Sequence, residues 1–312
     1  PDTGGSYTND IDSYLKKYRL HKAVEMMKNF RNTHKIEADD VMTLALQFEC
    51  LGDHIVKLDT ENNHSIPLND KETSAFLDAL NDFYRQSDFR KFFDQHSDVY
   101  ANGILSFYNS VVSHIDPSWY SRFYGTQPNK DLHIVIGFAS GGNYYRATRT
   151  RQGGPEEIFS IMYYAIDNNG RPLYDKSAVG TITEELCLSF IDIENNDVKT
   201  MLEKACENVH RYTREKPIAA VTDKSIMEES LAYASAIYYL IDNGSSKKSI
   251  RKAVDEGIER GFSWTPELIK RIYYYTENRK EFPTFASFYP EIIEFFKDYT
   301  ANLGKTILKV LR

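Results

Sequence analysis

The chain has 312 residues, 41% of them hydrophobic, with 22 Tyr, 18 Phe and 2 Trp. That length and apolar content suit one or two folded domains and exclude disordered and collagen-like classes. Thirty-eight basic against 45 acidic residues give a net charge of −7 with no basic block, which argues against a nucleic-acid partner. No apolar run approaches the ~18 residues of a membrane span, so no transmembrane segment is expected. Cys50, Cys187 and Cys206 are too scattered for a disulfide framework.

Residues 1–8 are polar and glycine-rich and read as a disordered terminus. The chain opens at Pro1 without a charged or apolar leader, as expected of a mature form whose targeting segment is gone. Helical spacing of Ile11, Tyr14, Leu15, Tyr18, Ala23, Val24 and Met27 predicts one helix from Asp10 to about Arg31. A second helix follows Asp39 and Asp40, whose charges suit a helix start, and carries Val41, Leu44, Ala45 and Phe48. Two more are predicted over 71–86 and 98–114, so 9–125 reads as a helical N-terminal region.

Past Gly125 the pattern changes. LHIVIGFAS (132–140) reads as a strand, NYYRATR (143–149) as its hairpin partner, and FSIMYYAID (159–167) as a third strand ending at Asn168, Asn169 and Gly170. Helices are then predicted over 180–192, 197–213, 224–242, 247–260, 265–278 and 289–299, followed by an apolar tail. Thr265 and Pro266 read as N-cap and first helical residue. The fold class is α+β: mostly helical, with a small central mixed or antiparallel sheet in the region 126–312. That region and the N-terminal helices are expected to form one compact unit.

The stretch with most chemistry is TITEELCLSF. Zinc peptidases carry H-E-x-x-H on a helix because residues four apart share a face and grip one ion. Here the same places hold Glu184, Glu185 and Leu188. A purely local reading competes, since Thr181 and Glu184 have the spacing of a capping box.

Five segments in order carry a resemblance: SWYSRFYG (118–125), HIVIGFASGGNYY (133–145), ITEELCLSFID (182–192), the helix with Glu229 and Ala234, and GFSWTPELI…RKEFPTFASFYPEIIEFF (261–296). The chain resembles a family of uncharacterised exported proteins, mainly of Bacteroidetes, catalogued as a domain of unknown function and similar to gluzincin-type zinc metallopeptidases. The resemblance implies a zincin-like active-site helix. It puts the two zinc imidazoles at Glu184 and Leu188, the general base at Glu185, and the third ligand at Glu229, with Glu228 as a register alternative. A family arginine one turn later is replaced by Tyr233. Gly142, Asn143 and Tyr144 fall at the substrate-binding strand, where Tyr145 replaces a commoner glycine. It also implies export to the periplasm or cell surface.

Leucine has no lone pair to give, and two carboxylates without imidazole suit zinc poorly. No metal and no cofactor are therefore expected, and Glu185 has no activated water to serve. The expected function is a non-catalytic peptidase-like protein whose cleft, or whose edge strand HIVIGFA, receives a peptide or other ligand. The alternatives are an active metal-dependent hydrolase with an atypical carboxylate site, and a structural or interaction module. Oligomeric state is left open.

Other groups read more plainly. His133 and His210 suit surface or hydrogen-bonded roles, and Cys187 a buried structural thiol. Glu184, Glu185, Glu228 and Glu229 invite a glycosidase reading that lacks a known separation. Gly137, Gly141 and Gly142 do not form a phosphate-binding loop. Arg146, Arg149 and Arg151 read as a solvated strand face, with an anionic or peptide partner as alternative. Tyr273–Tyr275 and Phe282–Tyr289 read as core aromatics rather than a sugar platform.

Overall fold

A computed structural model describes residues 5–61, 68–139, 144–163, 165, 166, 172–174, 177–191, 193, 200, 204 and 226–310. The fold is α+β, mostly helical with small mixed and antiparallel sheets. Contacts divide the chain into two interleaved units, 1–114 with 130–178, and 115–129 with 179–312. No helix among the described residues is long and apolar enough to cross a membrane.

The first unit starts with α1 (Gly5–Leu15), inside the stretch read as a terminus, and α2 (Lys22–Thr33). The single helix predicted over 10–31 is broken because His21 is extended and caps α2, its Nδ1 accepting the Ala23 N–H at 3.2 Å. Next come α3 (Ala38–Ala45) and a hairpin of β1 (Phe48–Leu51) and β2 (His54–Lys57). The helix predicted to carry Phe48 therefore ends at Ala45, and Phe48 opens a strand instead. The hairpin's turn needs the left-handed backbone of Gly52, φ 67°, and Asn81 pins it through both the N–H and C=O of Ile55, each at 2.8 Å. Asn81 belongs to α4 (Asp70–Ser87), which opens with a reciprocal Asn69–Glu72 capping box. Ala23, Phe30, Ile36, Leu44, Phe76 and Ala79 form the buried cluster among α2, α3 and α4. The helices α5 (Phe89–Gln95) and α6 (Ser97–Ser110) follow.

A three-stranded sheet completes the unit in the order β3 (Lys130–Ile136), β5 (Glu156–Met162), β4 (Tyr145–Thr150). The expected β3–β4 hairpin is therefore wrong. β5 lies between them, parallel to β3 and antiparallel to β4. The reason lies in its sequence: residues 157–162 are all buried, which only a central strand provides. A short pair, β6 (Ala165–Ile166) and β7 (Pro172–Leu173), follows. Of the arginine row read as a solvated face, Arg151 is exposed and Arg146 half-buried, but Arg149 is not solvated. Arg149 is buried, grips Glu157 through Nε at 2.6 Å and a terminal nitrogen at 2.9 Å, and lies over the Phe159 ring. Arg151 and His133 also approach Glu157, at 3.4 and 3.2 Å.

The second unit holds α7 (Pro117–Tyr124), α8 (Ser177–Phe190, chiefly), α9 (Ile226–Asp242), α10 (Lys247–Glu259), α11 (Thr265–Glu277) and α12 (Tyr289–Val310). The helix predicted over 197–213 lies outside the described residues except at 200 and 204, which are helical. α9 is buried on nearly every side, as its apolar all-round sequence requires. Trp119 stacks on Phe123 and donates to Asp242 at 2.7 Å, while Tyr275 donates to the Phe123 carbonyl at 2.6 Å. Of the aromatic groups, Tyr275, Phe285 and Phe288 are core, whereas Tyr273 and Tyr274 are exposed. Thr265 is the first helical residue rather than the cap, and its hydroxyl donates to the Phe262 carbonyl at 2.7 Å. α12 runs on through most of the predicted apolar tail.

The Arg149 hydrogen bonds, outweighing burial, hold the Glu157 carboxyl below its ordinary 4.5. A depressed folded pKa contributes stability above the unfolded value that is lost as pH falls through the folded one. In acid titrations followed by circular dichroism, the wild type is expected to lose stability below about pH 4.5. Glu157→Gln should start less stable at neutral pH and lose less on acidification.

Candidate functional site

The 14-residue helix α8 starts at Ser177, so Thr181 lies inside it. The capping-box reading of Thr181 and Glu184 is thereby excluded. Glu184, Glu185 and Leu188 are all buried, at 8%, 1% and 6% exposure, as is Cys187 at 0%. On α9, Glu229 is buried and Glu228 half-buried.

Arg260, which the sequence reading missed, joins the two helices. It is the C-cap residue of α10, where the carbonyl end of a helix favours a cation. Its two terminal nitrogens donate to the two oxygens of Glu184 at 2.9 and 2.7 Å. One of them also lies 4.0 Å from a Glu229 oxygen. The guanidinium covers the Tyr233 ring at 4.4 Å and approaches Phe262 at 5.4 Å. Burial opposes its charge, and the hydrogen bonds and charge of Glu184 outweigh that opposition, so its pKa is raised.

Tyr233 is fixed in turn by donation to the Ala253 carbonyl at 2.7 Å, and burial pushes its phenol up to about 12. Its ring lies against Gly257 of α10, where an added Cβ would come within 2.6 Å of the ring and 3.0 Å of Thr265 Oγ1. Just beyond Arg260, Gly261 turns the chain with φ 92°, a backbone that favours glycine. Close helix approach, the stacked ring and the glycine turn together aim the guanidinium at Glu184.

The residues do not fit the zinc site that the family resemblance implies. Leu188 offers no lone pair, both Glu184 oxygens already accept from Arg260, and a cation stands beside Glu229. Among the described residues no group of three or more His, Cys, Asp or Glu side chains is arranged to hold a metal ion. Tyr144 precedes β4 in the first unit and is half-buried; Gly142 and Asn143 lie outside the described residues. Also in that unit, Gly52, Asp53, Tyr84, Arg85, Asp88 and Arg90 line an open cleft to which no sequence motif pointed.

A signal for Arg260 does exist in the sequence. Buried carboxylates require a cation, and Arg-Gly at a helix end places a long basic side chain beside a turn. The chain positions involved are 76 residues apart, so no periodic pattern joins them.

Against known proteins, the family described as Domain of unknown function (DUF4932) matches residues 2–295. No curated protein and no solved structure matches the chain.

Two outcomes test the site's energetics. Removing one partner of a fully buried pair costs ~3–5 kcal/mol. The Arg260 side chain is 35% exposed, so Arg260→Met should cost about 2 kcal/mol by urea unfolding. Adding Glu184→Leu should recover part of that loss. Separately, Gly257→Ala should cost ~1–3 kcal/mol through the Tyr233 clash and lower the melting temperature.

Proposed function

The chain belongs to this family of unknown function, and on that premise we propose that it is a non-catalytic, metallopeptidase-like protein. One observation supports the reading: Glu184, to which the resemblance assigns the first zinc ligand, has both its carboxylate oxygens taken by Arg260. A fixed guanidinium carries positive charge but cannot coordinate and ionise a water, which is the chemistry zinc supplies in such sites. Glu185 keeps the general-base position of the resembled enzymes without a nucleophile to activate. Tyr233, which stands where that family often has arginine, gives the incoming Arg260 a flat surface to stack on.

The likeness to gluzincins, the Bacteroidetes setting and an exported location belong to the same proposal. So does peptide binding. β3 is an edge strand of its sheet, and edge strands can receive an extended chain through backbone hydrogen bonds. Its exposed Asp131, His133 and Val135 alternate along one face. The proposed ligand is a peptide or protein segment, with Tyr144 and the neighbouring Gly142 and Asn143 as the contacts the resemblance supplies.

Elemental analysis of protein purified without chelator decides between this reading and an active metal hydrolase with a carboxylate site. The expected result is zinc well below one equivalent and no hydrolysis of a mixed peptide library. Stoichiometric zinc bound with Arg260 in place would overturn the proposal. Restoring both imidazoles and clearing the cation, in Glu184→His/Leu188→His/Arg260→Ala, should create zinc binding measurable by calorimetry.

A further inference from the structure

Three helices of the second unit each present a polar pair at i and i+4 spacing toward one another. α7 contributes Tyr120 and Tyr124, α8 contributes Thr183 and Cys187, and α9 contributes Ser235 and the ring of Tyr239, whose hydroxyl accepts the Asp116 N–H at 3.0 Å. Tyr120 and Tyr124 are 1% exposed, and Thr183, Cys187 and Ser235 are 0% exposed. The rings around them are ordered by stacking: Tyr120 on Tyr239 at 5.4 Å, and Tyr124 on Phe190 at 5.0 Å.

The hydroxyls of Tyr120, Tyr124, Thr183 and Ser235 nevertheless have no hydrogen-bond partner. Tyr120 lies against Thr183, and Tyr124 against Ser235 and the Cys187 thiol, near enough for weak hydrogen bonds that fall short of full hydrogen-bond geometry. Four orphaned hydroxyls beside one another are rare in a folded core, because each buried unsatisfied group carries its full desolvation cost. Hydroxyls brought near one another, yet outside bonding geometry, suit a bridging molecule that can donate and accept.

We propose that Tyr120, Tyr124, Thr183 and Ser235, with the Cys187 thiol, enclose a site for structural water between α7, α8 and α9. Water satisfies about three polar partners when buried, and it matches groups that both donate and accept. Burial drives the phenols and the thiol upward in pKa, so the lining is neutral and offers no charge to recruit a cation or anion. The bound water would fasten the Thr183 face of α8, while the Glu184 face is fastened by Arg260. The inference is independent of whether the carboxylate site ever holds a metal.

Deuteron magnetic relaxation dispersion counts long-lived buried waters, and comparing the full chain with Thr183→Val/Ser235→Ala tests the site. The expected result is a lower count in the variant together with a lower melting temperature. An unchanged count, or a variant melting at or above the wild type, overturns the proposal, since deleting dry, unsatisfied hydroxyls should relieve rather than weaken the core. Should the variant fail to fold, high-resolution crystallography of the wild type decides. A density peak within hydrogen-bond reach of two or more of these hydroxyls supports the site, and an empty map there overturns it.

Discussion

Burying a carboxylate is expensive unless a cation and hydrogen bonds accompany it, and α8 buries two in succession. Glu184 is matched by a guanidinium brought from the end of α10, with Glu229 of α9 within 4.0 Å of the same group. The geometry around it follows from that need. α10 must pass close to α9, which Gly257 permits, and the chain must turn at once after Arg260, which Gly261 permits. α8 is thereby given one register against α9 and α10, which follow it far along the chain. A buried ion pair need not be more stable than an apolar replacement of equal size. What the pair does fix is position, because its two hydrogen bonds form only when the end of α10 lies beside Glu184.

The first unit meets the same constraint with the same parts. Arg149 holds Glu157 by two hydrogen bonds and lies over Phe159, as Arg260 holds Glu184 and lies over Tyr233. Guanidinium suits this use because it is planar, weakly hydrated and shaped to a carboxylate's two oxygens, while its face tolerates an aromatic ring. A zinc site asks for something different: lone pairs converging tetrahedrally and an open position for water. Leu188 and Tyr233 are wrong for the second design and right for the first. One is a buried apolar side chain on the same helix as Glu184 and the other a stacking surface for Arg260.

Legibility in the sequence followed the range of the interaction. Elements fixed by their own periodicity or caps, such as α4, α9, α10, β3 and β5, could be read directly from spacing and turn residues. Failures arose where a local pattern was overruled from a distance. His21 breaks an apolar stripe that looked continuous. β5 separates strands that looked like a hairpin, because its doubly buried face needs the centre of the sheet. Thr181 and Glu184 had capping-box spacing, yet the helix began a turn earlier and Glu184 served a partner 76 residues away. The positions of Glu184, Glu185, Leu188 and Glu229 were visible as residues, and their chemistry was not, since Arg260 announces itself only as the end of an ordinary amphipathic helix.

That separation bears on how function should be weighed in this family. On the proposed reading, a motif compared position by position registers loss: two imidazoles absent, one base retained. The packed structure shows a side-chain cation engaging Glu184 and standing near Glu229, which on the same reading is replacement of the metal's charge. Replacement is the more demanding condition. A site that had merely lost its ligands could recover metal binding by regaining them, whereas here Arg260 would have to leave Glu184 first, giving up two charge-assisted hydrogen bonds and its place over Tyr233. On the proposed reading, the cation that completes the core also bars a metal from it, so fold and inactivity rest on the same guanidinium.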